Sequence, residues 1–187
     1  MITNTSIRPG GKPTLAHCVR IIHMKFTAAD GFPYYFELAK EGLLTDMFSS
    51  FPTYELLKSL DEQQADYRYA SGKWSIKQVV GHITDHERIK MSRAFQLSRR
   101  MPVELWGYDQ EQLVNNSRFD ELSINLLLED YQNVRRSSQT FVQGLSEDQL
   151  NLKGMARGHE VTLADFLRSM IGHETHHLNV IRDRYLK

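Results

Sequence analysis

The stretch TLADFLRSMIGHETHHLNVIRDRY, residues 162–185, decides the fold. Its apolar residues recur every three or four positions, which predicts an amphipathic helix with one buried face. His173 and His177 lie on that face, about 40° apart at about 100° per residue, whereas His176 lies off it. Two buried imidazoles on one helix require a metal ion or polar partners. The pattern therefore predicts a histidine site inside a helical protein.

Two earlier segments carry clear helix signals. Ser75 and Gln78 form a predicted capping box, and the helix they begin should continue to about Arg99. Ser123 is the predicted N-cap of a further helix, which should end near Gly144. Both segments repeat their apolar residues at helical spacing, so each is expected to bury one face.

The first segment, residues 35–60, has helical spacing that Gly42 and Pro52 interrupt. Proline lacks a backbone N–H and clashes with the preceding turn, so the helix should kink or break near Phe51.

The predicted fold is all-α: a four-helix bundle with a long crossover loop between the second and third helices. That loop spans residues 101–120, and a shorter loop is expected over residues 151–161, since no useful strand-like alternation appears. A single bundle domain should occupy residues 34–187. Residues 1–29 contain four basic and no acidic residues, so residues 1–33 are predicted to be a poorly ordered or extended tail, with a transit peptide as the alternative.

The composition limits the classes of function. The 187 residues carry 23 basic and 23 acidic side chains, and no basic patch with interleaved aromatic residues indicates a nucleic-acid partner. No apolar run approaches the roughly 18 residues of a membrane span. The one cysteine, Cys18, excludes an intrachain disulfide and fits a reducing compartment. We therefore expect a cytoplasmic protein without membrane or nucleic-acid partners.

A third metal ligand must come from upstream of the last helix. His173, Glu174 and His177 spell HExxH, the zinc-peptidase signature, but the chain ends ten residues after His177 and offers no further ligand there. A peptidase is therefore only a remote alternative. The upstream candidates are His82 and His86, and their helical positions do not decide between them.

Three stretches resemble the DinB-like, or YfiT-like, family of proposed metalloenzymes. They are YRYASGKWSIKQVVGHITDHERI, LWGYDQEQLVNNSRF and LSEDQLNLKGMARGHEVTLADFLRSMIGHETHHLNVIRDRYL, within a likeness that covers roughly residues 43–187. The resemblance implies a three-histidine metal site formed by His82, His173 and His177. His86 stands where the family more often has a small polar residue, so the resemblance does not make it a ligand.

Each ligand histidine needs a partner that orients its second ring nitrogen. Glu174, next to His173, is the main candidate, because it falls on the apolar side of the last helix. Asp85 and Glu87 are weaker candidates, because carboxylates on a helix flank are usually solvated.

Three neutral imidazoles would leave a bound divalent cation with its full charge and with open positions. Zinc or nickel is expected on affinity grounds, with iron, manganese and cobalt as alternatives. The family resemblance implies either transfer of a low-molecular-weight thiol, as co-substrate, to a small electrophile or hydrolysis by activated water. Trp106, Tyr108 and Arg118 of the crossover loop could line the substrate pocket.

The alternative from a different class is a non-catalytic bundle stabilised by the metal, with a stress or assembly role. Three protein ligands do not favour it, because structural sites usually have four. The resemblance also implies a homodimer.

Overall fold

A computed structural model describes residues 25–101, 103, 107–156 and 158–187. Three long helices dominate the described part: α5 (Ile76–Ser98), α7 (Ile124–Gln143) and α9 (Leu163–Val180). The remaining elements are α1 (Phe32–Leu38), α2 (Leu44–Phe48), α3 (Pro52–Leu57), α4 (Glu62–Ala65), α6 (Gln110–Asn115), α8 (Glu147–Leu150), β1 (Lys153–Ala156) and β2 (His159–Thr162), with 3-10 turns at Ala28–Asp30 and Phe119–Glu121 and a π-helical turn at Ile181–Tyr185. Within these described ranges, no helix is both long and apolar enough to cross a membrane.

The three long helices begin at side-chain caps, and those of α5 and α7 are the predicted ones. The Ser75 hydroxyl accepts a hydrogen bond from the Gln78 backbone N–H at 3.1 Å, and the Ser75 N–H donates to the Gln78 side chain at 3.1 Å, which confirms the capping box. The hydroxyls of Ser123 and Thr162 likewise accept from backbone N–H groups in the first turns of α7 and α9. These bonds satisfy donors that have no partner inside the helix.

The first segment is broken, as the sequence predicts, into the short helices α1, α2 and α3. Gly42 adopts φ +98° between α1 and α2, a conformation that other residues rarely adopt. Pro52 occupies the first turn of α3, where its missing N–H costs nothing. The fourth member of the bundle is therefore a chain of short helices packed against α7 and α9.

The predicted loop over residues 151–161 is wrong in part, because it contains an antiparallel hairpin. Strands β1 and β2 pair with Lys153 opposite Thr162 and Ala156 opposite His159. The backbone N–H of Leu163 then donates to the Leu152 carbonyl at 2.8 Å, which ties the start of α9 to the hairpin. Neither KGMA in β1 nor HEVT in β2 alternates apolar and polar residues, so the sequence carries no strand signal here.

Two apolar clusters form the core, one on each side of a buried polar layer. One cluster joins the N-terminal halves of α5 and α7 to the end of α9, and the other joins the C-terminal halves of α5 and α7 to α2, the hairpin and the start of α9. The layer between them contains His82, Glu87, Arg135, His173 and Glu174, each at most 4% exposed.

The tail predicted over residues 1–33 falls mostly on residues 1–24, which lie outside the described part of the chain. Its last residues include a 3-10 turn, and α1 begins at Phe32. Helix α1 packs against α9 at Gly172, where an added Cβ would lie 1.7 Å from the Tyr35 carbonyl oxygen. Glycine at this position therefore permits the approach of α1 to the histidines of α9.

We predict that Gly172→Ala destabilises the protein by about 1–3 kcal/mol, because α1 must move away from the new methyl group. Urea unfolding should show this loss even though alanine favours the helix. The matched control is Gly144→Ala, since a Cβ there would meet its nearest neighbour at 3.5 Å. Equal stability of the Gly172 variant and the parent protein would contradict the close approach.

Candidate metal centre

Three histidine side chains converge between α5 and α9. His82 extends from α5, and His173 and His177 extend from successive turns of α9. The Nε2 atom of His173 lies 3.1 Å from that of His82 and 3.2 Å from that of His177. One ligand atom from each ring lies within 4.8 Å of the others. The structure thus brings together the three residues that the family resemblance implies.

The spacing of these nitrogens suits a metal ion. Two imidazole nitrogens on a tetrahedral ion, with bonds of about 2.05 Å, are separated by about 3.3 Å. A neutral imidazole has only one N–H, so three Nε2 atoms cannot all satisfy one another by hydrogen bonds. A cation accepts all three lone pairs at once, and the donor set therefore fits a divalent ion of the zinc or nickel type.

Burial keeps these histidines neutral, which is the form that binds metal. Together with a smaller contribution from the neighbouring His176, it lowers the pKa of His82 to about 4. Burial also lowers the pKa values of His173 and His177 well below the usual range, with neighbouring histidines adding to the effect. His82 and His173 are buried, whereas His177 is partly exposed and forms the accessible side of the cluster.

Aromatic rings hold the ligand histidines in place. The Trp74 ring packs on His82 with centroids 4.8 Å apart, and Tyr35 of α1 presents its edge to His173 at 5.1 Å. His176, off the buried stripe as predicted, lies with its Nδ1 atom 3.0 Å from the Tyr34 hydroxyl. Helix α1 therefore contacts the last helix at His173 and at His176.

His86 lies beside the cluster and outside the converging set. Its ring stacks on His173, with centroids 3.6 Å apart and an interplanar angle of 10°. Its Nδ1 atom lies 2.6 Å from the Tyr108 hydroxyl. Helical spacing could not choose between His82 and His86, but the tertiary structure places His82 against both α9 histidines and His86 behind one of them.

Glu174 has a different set of partners from the one the sequence indicates. Its Oε1 atom accepts hydrogen bonds at 2.6 Å from the hydroxyls of Thr53 and Tyr131, and its Oε2 atom accepts from Arg135 at 2.7 Å. Both oxygens are thus directed to α3 and α7, whereas a residue that orients a histidine would contact its ring. The same arrangement disfavours the peptidase alternative, in which this glutamate would act as general base at the metal.

Glu87 is buried, contrary to the expected solvated position, because it also pairs with Arg135. Two guanidinium nitrogens of Arg135 contact its carboxylate at 2.8–3.1 Å, and a third donates to the Ser50 carbonyl at 3.0 Å. Burial opposes the charge of Arg135, but the two carboxylates outweigh it and raise its pKa. Asp85 instead pairs with the exposed Arg88, as a residue on a helix flank usually does.

Two cavities border the histidine cluster. The α1 cavity, about 390 Å³, is lined by Tyr35, His86, Lys90, Tyr108, Ser169 and His173, with small residues of the chain before α1. The Trp74 cavity, about 330 Å³, is lined by Trp74, Glu111, His176, His177 and Tyr185. Gln110 borders both. The α1 cavity thus borders His173, and the Trp74 cavity borders His177.

The sequence predicts that three residues of the crossover loop line the substrate pocket, and the structure treats each of them differently. Tyr108 lines the α1 cavity, in agreement with the prediction. Arg118 lines neither cavity; its exposed side chain pairs with Glu121, so its predicted role is wrong. Trp106 lies outside the described residues.

Sequence reasoning missed Arg135 and Lys90. Arg135 follows Tyr131 by four residues on the apolar stripe of α7, and a charged residue inside such a stripe is a signal that could have been used. Lys90 follows His82 and His86 at the same spacing on α5. The contacts of α1 left no signal, because they depend on the close approach at Gly172.

Comparison with known proteins gives a family and a fold. Residues 53–181 match the family model for the DinB superfamily. The structure resembles YfiT from Bacillus subtilis, described as a probable metal-dependent hydrolase with an unusual four-helix bundle topology (TM-score 0.60, 16% identity, 86% of this chain and 89% of that chain). It also resembles the DinB-like protein YjoA from Bacillus subtilis (TM-score 0.52, 20% identity, 75% and 87%). A search of curated proteins finds no match. The all-α bundle predicted from the sequence is confirmed.

We predict that Arg135→Met costs about 3–5 kcal/mol of stability, because it leaves two buried carboxylates without their cation. Urea unfolding measures the loss, and replacing Glu87 and Glu174 by glutamine in the same variant should restore part of it. The control is Arg88→Met, which removes an exposed arginine that pairs with Asp85 and Asp130 and should cost less than about 1 kcal/mol. Similar losses in the two variants would contradict a stabilising role for the buried charges.

We also predict that acid destabilises the metal-free protein. His82 has a pKa of about 4 when folded and about 6.5 when exposed, so between these values the unfolded chain binds the additional proton. The free energy of unfolding is therefore unaffected by this group above about pH 6.5. It falls by about 3 kcal/mol in total as the pH falls towards 4. Urea unfolding at several pH values should show a weaker dependence in His82→Gln. His159→Gln, which removes an exposed histidine elsewhere, should leave the dependence unchanged; equal slopes in all three proteins would contradict the prediction.

Proposed function

The chain belongs to the DinB superfamily, and on that premise we propose that it is a metal-dependent enzyme acting on a small molecule. His82, His173 and His177 would hold a divalent cation. The observation that carries the proposal is the convergence of their three Nε2 atoms beside two cavities. Among the described residues, this cluster contains no fourth protein ligand, as in catalytic rather than structural zinc sites.

The cation, once bound, would lower the pKa of a coordinated water or thiol so that the nucleophilic form exists near neutral pH. The chain itself supplies three neutral imidazoles, which leave the charge of the ion undiminished. The tilted packing of Trp74 on His82 and the stacking of His86 on His173 restrict the orientations of these two rings. The cavities then position the second reactant beside the cluster.

The nucleophile is either a low-molecular-weight thiol or water. The description of YfiT as a probable metal-dependent hydrolase supports water. The family resemblance of the sequence supports the thiol. A non-catalytic role is the alternative from another class, favoured by one observation: His82 on α5 and the two α9 histidines would let an ion cross-link these helices.

The remaining proposals concern the domain, assembly, location, metal and partners of the protein. We propose that residues 34–187 form a single domain and that the protein is a homodimer in the cytoplasm. We also propose that it binds zinc or nickel and has no nucleic-acid partner. Balanced charge supports the last point, since 23 basic residues are matched by 23 acidic ones. The preference for zinc or nickel follows from the imidazole donor set.

We predict that the purified protein contains about one divalent ion per chain and that His173→Ala weakens binding by at least about 100-fold, since a ligand is lost. Elemental analysis and a competition titration with a chelator measure both. His176→Ala is the matched control, because His176 lies on the same helix but outside the converging set. Metal retained at full stoichiometry in His173→Ala would contradict the site.

The metal-loaded protein should then convert a test electrophile. Monochlorobimane with a small thiol tests transfer, and p-nitrophenyl acetate without thiol tests hydrolysis. His173→Ala should lose the activity, and His159→Ala should keep it because His159 is exposed and lines neither cavity. Metal binding that stabilises the fold, with neither activity present, would favour the non-catalytic bundle instead.

A further inference from the structure

We propose that the Trp74 cavity binds an aromatic ring of the substrate, on the side of the histidine cluster where His177 lies. The inference rests on the proposed function, since it concerns a reactant on which the metal site would act. It names a substrate class, uncharged aromatic compounds, that the cluster alone does not indicate.

Aromatic side chains form much of the wall of the Trp74 cavity. Trp74, Tyr69 and Tyr185 line it, together with the aliphatic Val79 and Val180. The rings of Tyr69 and Tyr185 meet edge to face, with centroids 4.9 Å apart and an interplanar angle of 86°. Such walls favour a further ring, because the edge of one aromatic ring attracts the face of another. The volume of about 330 Å³ lies in the range of pockets that hold small molecules.

Polar atoms of the cavity wall already have partners within the protein. The Trp74 indole N–H donates to the Glu111 carboxylate at 3.1 Å, and the Tyr185 hydroxyl donates to the Trp74 carbonyl at 2.8 Å. The Nδ1 atom of His176 lies 3.0 Å from the Tyr34 hydroxyl. A ligand that competed for these atoms would have to break existing hydrogen bonds. These side chains therefore offer a ligand mainly the apolar surface of their rings.

The charged groups around the cavity do not select an ion. Lys73 and Glu111 lie at the exposed rim and carry opposite charges. Arg68, next to Tyr69 in the chain, pairs with Asp120 at 2.7 Å. Aromatic walls can also bind a cation, but Lys73 and the metal ion proposed at the cluster would both repel one. The arrangement therefore favours an uncharged aromatic group.

The position of the cavity connects it with the metal site. His177, the partly exposed member of the cluster, lines the cavity. Trp74 lines it as well and packs on His82, with centroids 4.8 Å apart. A ring held in this cavity would therefore lie beside the accessible ligand of the cluster.

The test compares two alcohols that differ only in the aromaticity of their rings, naphthalen-2-ylmethanol and decahydronaphthalen-2-ylmethanol. Each is titrated into the metal-free protein, and amide NMR shifts report the affinity. Nuclear Overhauser effects between the naphthyl protons and the ring protons of Trp74 and His177 report the location. Tetramethylammonium is the third probe, because it tests whether the aromatic wall binds a cation instead.

The parent protein should bind the aromatic alcohol about threefold to tenfold more tightly than its saturated analogue, as expected for contacts between rings. Tyr69→Leu should remove most of this preference, and Tyr69→Phe should retain it because it keeps the ring. Tyr67→Leu is the matched control. The Tyr67 ring also meets that of Tyr185, at 6.2 Å, but Tyr67 lines neither cavity.

Equal binding of the two alcohols by the parent protein overturns the proposal, whatever the variants do. A preference that survives unchanged in Tyr69→Leu also overturns it, as does tighter binding of tetramethylammonium than of the aromatic alcohol. Nuclear Overhauser effects to Tyr108 of the α1 cavity, without any to Trp74, would likewise contradict the assignment.

A second measurement tests whether the ring belongs to the substrate. In the metal-loaded protein, the aromatic alcohol should inhibit the conversion of p-nitrophenyl acetate or monochlorobimane in competition with that electrophile. Inhibition that is not competitive would overturn the assignment to the substrate. Absence of metal binding or of activity would contradict the proposed function, and the metal-free titrations would still decide whether the cavity binds an aromatic ring.

Discussion

The interaction on which the structure depends is the buried ion pair between Arg135 and the carboxylates of Glu87 and Glu174. Removing these charges from water is costly, and the cost is offset only when every donor and acceptor finds a partner. Here Thr53, Tyr131 and the Ser50 carbonyl complete the set. The network thereby joins α5, α7 and α9 to the chain of short helices, between the two apolar clusters.

This network also sets the orientation of the histidines. Glu87 follows His86, and Glu174 follows His173, and consecutive residues of a helix lie about 100° apart around its axis. When each glutamate faces Arg135 on α7, the preceding histidine must face the space between α5 and α9. Two separate buried sites, one ionic and one imidazole-rich, thus occupy the same turns of the same helices. The position of one constrains the position of the other.

One side of the wall of the α1 cavity comes from a part of the chain that precedes the DinB match, which begins at residue 53. Helix α1 contributes Tyr35 to this wall and to the edge of His173, and it can do so because Gly172 has no side chain. The histidine cluster belongs to the matched region, whereas part of the surface that a substrate would meet does not.

The sequence by itself determined the three long helices and the residues at which they begin, because apolar spacing and caps such as Ser75 and Ser123 act over three or four residues. It also placed His173 and His177 on one buried face. It could not show that the partner of Glu174 is Arg135, that the hairpin forms over residues 153–162, or that α1 approaches α9 at Gly172. It could not decide between His82 and His86 without the family resemblance. Those features depend on contacts between residues far apart in the chain, and only the rotation and packing of whole helices decide which side chains meet.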